Sequence, residues 1–250
     1  MPKISVSVIG LNEGKFLRAC FESCKWADEL IYVDCGSSDD SIKVAESFGA
    51  RVFIRENDFN INVNKQFGLD QCSGEWILYL DPDETVPQSL KVELESLAQN
   101  SGDNKGFLIP RRNFYFGKWL RYGGKYPDRQ LRFFKRGFGR FPCVNIHERL
   151  VIDGKIGIVA AAMDHNVADS VDWFVDKIKS YAYRRALQDI RLKKDSESVI
   201  YRSFKKFFRA YFLKLGFLDG PIGFFVALTD CFNEMVFWLK RREIESSNKH

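Results

Sequence analysis

Asp81-Pro82-Asp83 follows directly on the apolar run EWILYL, residues 75–80. Side chains at i and i+2 of an extended segment point the same way. The two carboxylates are therefore expected on one side, where they can hold a hard divalent cation completed by water and phosphate oxygens. A diphosphate leaving group needs such a cation, because negative charge builds on it as its bond breaks. The same residues also fit a solvated acidic loop, but two further polar clusters sit in equivalent places. Asn12 and Glu13 close the run ISVSVIG, and Asp34 closes LIYVD ahead of CGSSDDS. The Asp34 carboxylate can accept from a base N–H or a ribose hydroxyl. Gly36 permits a tight turn there, and Ser37 and Ser38 add donors. An ordinary Asx turn with Ser38 or Asp39 as helix cap uses the same residues, and both can hold together. No GxGxxG and no GxxxxGK[ST] occurs, which argues against a Rossmann dehydrogenase and a P-loop NTPase.

The elements that must position these groups alternate. Strands are expected at 4–10, 30–34, 51–54 and 75–80. Helices are expected at 15–25, 41–48 (capped by Gly49), 62–72 and 87–99. The alternation predicts an α/β domain with a parallel sheet, whose ligand lies at the carboxyl ends of the strands. All three polar clusters lie at such ends. The crossovers are too short for a (β/α)8 barrel. Residues 106–152 change to strands and loops in which basic and aromatic residues interleave. An amphipathic helix is expected at 171–192, and one or two more over 199–239, broken near Asp219-Gly220-Pro221.

The 250 residues suffice for one large domain with an appendage. Residues 171–250 hold 16 Lys+Arg and 10 Asp+Glu, a net of +6, leaving 22 against 23 in residues 1–170. Residues 199–218 carry five Lys/Arg, five Phe and two Tyr but no acid, which suggests an interfacial membrane segment. Packing of the Phe face on the domain or on a second copy is the alternative. Nucleic-acid binding is disfavoured, since no recognition motif accompanies the basic stretch. No signal-peptide pattern opens the chain. The longest uncharged apolar stretch, 220–229, is half the roughly 20 residues a spanning helix needs, so none is expected. Six cysteines without a CxxC pair read as buried free thiols in a reducing compartment. A cytoplasmic protein is expected, peripheral on the inner face of the cytoplasmic membrane.

SVSVIGLNE, ADELIYVDCGSSDDS, GARVF and NKQFGLDQCSGEWILYLDPDE, in that order, resemble the family 2 glycosyltransferases. YPDRQLRFFKR, VNIHERL and YFLKLGFLDG extend the resemblance toward bacterial lipopolysaccharide-core enzymes of the β-1,4-glucosyltransferase type. It spans residue 4 to about residue 239. It implies a GT-A fold, a Rossmann-like, mostly parallel sheet with a C-terminal helical appendage. Residues 1–168 would be the catalytic domain, with a nucleotide-sugar half to about 100 and an acceptor half beyond. Residues 169–250 would be the appendage. It further implies an inverting, metal-dependent transfer of glucose from a UDP-sugar to a lipopolysaccharide-core glycolipid. Transfer to a polyprenyl phosphate or a protein, and a non-catalytic nucleotide-sugar-binding membrane module, are the alternatives.

By this resemblance Asn12 and Glu13 contact the nucleotide. Asp34 reads the base, with Gly36, Ser37 and Asp39 beside it. Lys65 neutralises phosphate, Asp81 contacts ribose or sugar, and Asp83, with Asp81, holds Mg²⁺ or Mn²⁺. One departure is Gly10, where many relatives carry Thr, which removes a possible hydroxyl contact. An inverting displacement needs a carboxylate to take the acceptor proton opposite the diphosphate. Glu148 in Asn145-Ile146-His147-Glu148-Arg149 is the first candidate, oriented by His147 or Arg149, and Asp128 is the reserve. Gln130 and Arg132 are expected to line the diphosphate. His165 reads as a satisfied structural histidine. The partners implied are a nucleotide-sugar donor, a lipid-linked saccharide acceptor, the inner-membrane surface at 199–218 and a second copy of the chain.

Overall fold

A computed structural model describes residues 2–58, 60–144, 148–191 and 198–247. The chain divides into two compact units, Met1–Arg111 with Arg129–His165, and Arg112–Asp128 with Asn166–His250.

The first unit is built on β1 (Ile4–Gly10), buried at all seven residues. Burial on both faces is what a central parallel strand requires. α1 (Gly14–Glu22), β2 (Glu29–Asp34), α2 (Ser41–Ser47), β3 (Arg51–Ile54), α3 (Ile61–Asp70) and β4 (Trp76–Leu80) follow. β2 and β4 flank β1 and β3 lies outside β2, all parallel. The alternation of β4 sends Trp76, Leu78 and Leu80 into one core with Leu17 and Phe21 of α1. Ile77 and Tyr79 enter a second core with Leu69 of α3. Helices thus cover both faces of the sheet. α3 comes so close that a Cβ on Gly68 would lie 2.7 Å from the Ser7 hydroxyl, so only glycine fits.

β5 (Glu84–Thr85), α4 (Gln88–Gln99), β6 (Asn104–Tyr115), β7 (Lys118–Trp119), β8 (Asp128–Lys135), β9 (Gly139–Arg140), β10 (Val151–Ile152), β11 (Lys155–Ile158) and β12 (Met163–Ala168) come next. The strand order is β3-β2-β1-β4-β8-β6-β12-β5. β8 is antiparallel to β4, with Ile77 opposite Phe134, so the sheet is mixed rather than wholly parallel. Trp76 stacks on Phe133 across this pair at 4.8 Å. β6, β8 and β12 run on into the second unit.

The second unit holds α5 (Val171–Arg191), α6 (Val199–Phe208) and α7 (Gly220–Ser247). A π-helical turn Arg209–Leu213 and a 3₁₀ turn Gly216–Asp219 join α6 to α7. The break falls at the expected Asp219-Gly220-Pro221, where proline suits the first turn of a helix. Position 192 of the expected helix 171–192 lies outside the described residues. Tyr115, Leu120, Phe174, Ile178 and Val226 form one core of this unit. The Glu234 carboxylate on α7 is buried. It accepts from Arg185 of α5 at 2.6 Å, from Arg202 of α6 at 2.8 Å, and from Lys206. The expectation of no spanning segment rests on a stretch that ends at 229. Gly216–Ser247 is long and apolar enough to cross a membrane by length and composition. Stopping the count at 229 missed this, because Asp230 and Glu234 are isolated charges within an apolar helix.

Candidate active site

Asp81-Pro82-Asp83-Glu84 is a turn and not an extended segment. Glu84 N–H donates to the Asp81 carbonyl at 3.0 Å, and Pro82 occupies the second turn position, which its fixed φ favours. The two aspartates therefore take different partners. The Asp81 carboxylate accepts from Tyr79 Oη at 2.7 Å and from Arg132 Nη2, with Lys65 Nζ 3.7 Å away. Burial alone would raise its pKa. The charges of Arg132 and Lys65 and the Tyr79 hydroxyl outweigh that and hold it well below the carboxylate range. Asp83 lies instead against His165, Oδ2 to Nε2 3.5 Å, both side chains mostly buried. β5 pairs antiparallel with β12, His165 opposite Glu84, and this brings the histidine to the turn.

Glu84 carries the turn. It is fully buried and accepts from Arg111 Nη1 at 2.9 Å, Arg132 Nη2 at 2.7 Å and the Asp81 N–H at 2.9 Å. Arg132 reaches both acids because the β4–β8 register, continued by one pair, sets it opposite Tyr79, whose ring lies 4.5 Å from its guanidinium carbon. Sequence reasoning gave no role to Glu84, Arg111 or Tyr79. The acid run 81–84 and the basic pair Arg111-Arg112 were visible, and His165, read as a satisfied structural histidine, lies against Asp83.

At the ends of β1 and β2 the polar residues stitch two loops together. Asp34 is fully buried. Oδ2 accepts from the N–H of Gly36 (3.0 Å) and Ser37 (2.8 Å), and Oδ1 faces Tyr32 Oη at 3.3 Å. This is the expected Asx turn, with Gly36 at φ +86°. Asn12 Oδ1 accepts from Ser38 N–H at 2.8 Å, and Asn12 N–H donates to Ser37 Oγ at 2.8 Å. Asp39 accepts from Gly14 N–H and Ser41 N–H, both at 3.0 Å, serving the starts of α1 and α2 together. Burial opposes its charge, but the Ser41 and Gly14 hydrogen bonds lower its pKa. Glu13 N–H donates to Ser41 Oγ at 3.0 Å. The Gly10 departure has a steric reason, since a Cβ there would sit 3.0 Å from Tyr32 Oη and 3.2 Å from Pro82.

A cavity of about 310 Å³ gathers Lys65, Tyr79, Asp81, Arg111, Gln130, Arg132 and Glu148. Both Glu148 carboxylate oxygens accept from the Val144 N–H, at 2.9 and 3.1 Å. Arg149 also lines this cavity, while Asn145 and His147 lie outside the described residues. Asp128 begins β8 in the second unit, where Asn113 Nδ2 donates to it at 3.3 Å.

The chain matches the family "Glycosyl transferase family 2" over residues 5–150. It is 30% identical over 230 residues to the lipopolysaccharide core biosynthesis glycosyltransferase LpsC of Rhizobium meliloti, covering 88% of this chain and 83% of that one. A glycosyltransferase of Rickettsia felis is 26% identical over 97% of this chain and 90% of its own. Among solved structures, Staphylococcus aureus TarS 1–349 is similar at 15% identity and a TM-score of 0.49, over 93% of this chain and 80% of that one. The strand order with its antiparallel β8, followed by C-terminal helices, is a GT-A fold, and the chain is a member of glycosyl transferase family 2.

Proposed function

We propose that this glycosyltransferase is inverting and metal-dependent, and moves a hexose from a nucleotide-diphosphate donor, UDP-glucose first, to a lipopolysaccharide-core glycolipid. One observation carries the reading. A single cavity joins the DxD turn, through Asp81, to Lys65, Gln130, Arg132 and a second carboxylate, Glu148. Cations for a diphosphate and a base for an acceptor are then within one pocket. The similarity to LpsC, a lipopolysaccharide core biosynthesis enzyme, supports the acceptor class.

The donor set suits a divalent cation. The Asp81 oxygens are engaged by Arg132, Lys65 and Tyr79, so the ligands would be the Asp83 carboxylate and the His165 imidazole. Oxygen and imidazole nitrogen are a pair that Mn²⁺ accepts. Among the described residues no group of three or more His, Cys, Asp or Glu could hold a metal, so phosphate and water oxygens would complete the shell. When bound, the cation takes up charge that builds on the leaving diphosphate. Lys65 and Arg132 line the cavity and add fixed positive charge there. Arg132 Nε is buried and has no hydrogen-bond partner among the described residues, which suits an anionic ligand. Glu148 takes the acceptor proton as the hydroxyl oxygen attacks opposite the diphosphate. The loops of Asn12, Glu13 and Asp34–Asp39 shape the nucleotide seat.

A thermal-shift panel of nucleotide sugars with and without Mn²⁺ identifies the donor. Asp83→Ala should abolish metal-dependent donor stabilisation and turnover. Full activity in that variant removes the metal assignment. Glu148→Gln should keep donor binding and lose transfer by roughly 10²–10⁴-fold. If Asp128→Asn shows that phenotype instead, Asp128 is the base. Donor stabilisation without any hydrolysis or transfer would support the non-catalytic alternative.

A further inference from the structure

α6 and the turns after it present apolar side chains to solvent. Ile200, Tyr201, Phe204, Phe208, Phe212 and Leu213 are 43–78% exposed. The patch is continuous, because the rings touch in series. Phe204 meets Phe208 at 6.3 Å, Phe208 meets Phe212 at 5.2 Å, Phe212 meets Phe207 at 6.2 Å, and Phe207 meets Phe224 of α7 at 6.0 Å. From Phe224 the surface continues along one stripe of α7. Leu228, Phe232, Met235 and Leu239 follow at helical spacing, 47–58% exposed. At 1.5 Å per residue the stripe is about 22 Å long. An apolar surface this extended marks an interaction site.

Its charge selects the occupant. Residues 199–218 carry five Lys/Arg and no acid. Arg202 and Lys206 are engaged by Glu234, while Lys205, Arg209 and Lys214 are exposed along the patch. Two copies facing each other here would oppose like charges, whereas an anionic headgroup layer complements them. The buried Glu234 fixes one face of α7 on α5 and α6, leaving a single apolar stripe outward. A helix with one apolar face and basic neighbours lies in the membrane interface.

We propose that α6, the aromatic turn and the outer stripe of α7 form one docking surface for an anionic lipid bilayer, seated in its interface and not crossing it. The glycolipid-acceptor reading gives this surface its purpose, and docking is measured without donor or acceptor. Failed vesicle binding would leave the donor chemistry standing, and a failed donor assay would leave the surface standing.

The test is flotation of the full chain with phosphatidylcholine vesicles, with and without phosphatidylglycerol, at low and high salt. Retention on anionic vesicles at low salt, released at high salt, is expected. Each basic residue near such a surface is worth roughly fivefold in partitioning, so Lys205→Ala with Arg209→Ala should weaken retention roughly 30-fold. Phe204→Ser with Leu213→Ser, both exposed, should weaken it at least about tenfold with unchanged thermal unfolding. Three results overturn the proposal: no retention on either vesicle, an apparent mass that doubles in solution and halves in Phe204→Ser/Leu213→Ser, or bound protein that resists high-salt and alkaline washing.

Discussion

Glu84→Gln keeps the shape of the side chain and removes its charge. The native carboxylate accepts three bonds without exposure, from Arg111, Arg132 and the Asp81 N–H. The amide replaces one acceptor oxygen by a donor, so at least one N–H now faces another donor. Hydrogen bonds to charged groups are worth about 1.5–3 kcal/mol each, and breaking one side of a buried ion pair costs about 3–5 kcal/mol. The expected loss is about 3 kcal/mol. Against a usual total of about 5–15 kcal/mol, the variant still folds. For a chain this size Tm should fall by about 6–12 °C. The Asp81–Glu84 turn also loosens, so donor stabilisation should need more Mn²⁺ in Glu84→Gln, an effect that a general loss of stability would not produce. Urea unfolding and a metal titration of the donor thermal shift measure the two parts. The control is Glu22→Gln, which breaks an exposed pair with Lys25 and should cost at most about 1 kcal/mol. If Glu84→Gln matches that control in stability, Glu84 does not hold the turn.

Two further predictions concern packing and charge. Burial raises the Glu234 pKa, but bonds from Arg185 and Lys206 bring it down to about 2 from an ordinary 4.5. A folded-state pKa below the unfolded one contributes stability above pH 4.5 that is lost as pH falls toward 2. The full depression from 4.5 to about 2 corresponds to about 3 kcal/mol. Between pH 7 and pH 3, where the folded carboxylate is still mostly ionised, urea unfolding should show about 2 kcal/mol of this loss in the native chain and less in Glu234→Gln; equal losses would contradict it. Gly10→Thr should cost about 1–3 kcal/mol by overpacking against Tyr32 and Pro82, and Tyr32→Phe should recover part of it. A Gly10→Thr chain as stable as the native one would mean that the space is there.

What was legible in the sequence was local. The strands β1, β2 and β4 are apolar runs ended by Asn12, Asp34 and Asp81, and their boundaries fall within two residues of expectation. The Asx turn at Asp34 was readable because its donors, Gly36 and Ser37, lie two and three residues on. The helix break at Gly220-Pro221 was readable for the same reason. What was not legible depends on partners far along the chain. Nothing within LRFF shows that β8 enters antiparallel beside β4, yet that register delivers Arg132 to Asp81 and Glu84. His165 lies about 80 residues from Asp83, and only the β5–β12 pairing joins them. The i, i+2 rule failed at Asp81 and Asp83 because Pro82 makes a turn, which the Asp-Pro-Asp string could have warned of.

The turn sorts its carboxylates by the charge each one meets. Asp81 and Glu84 share Arg132, with Lys65 beside the first and Arg111 on the second. Asp81 and Glu84 thus meet three permanently basic side chains, Lys65, Arg111 and Arg132, while Asp83 meets an imidazole. That imidazole, of His165, can itself coordinate a metal. A diphosphate entering this cluster would bring negative charge that Lys65, Arg111 and Arg132 offset only in part, because Asp81 and Glu84 already pair with them. On the proposed reading a divalent cation at Asp83 and His165 restores the balance, so donor and cation are linked ligands, each raising the affinity of the other by the same factor. On that reading, the acids that looked alike in sequence divide into two that hold the basic side chains of the site in place and one that would share a divalent cation with His165.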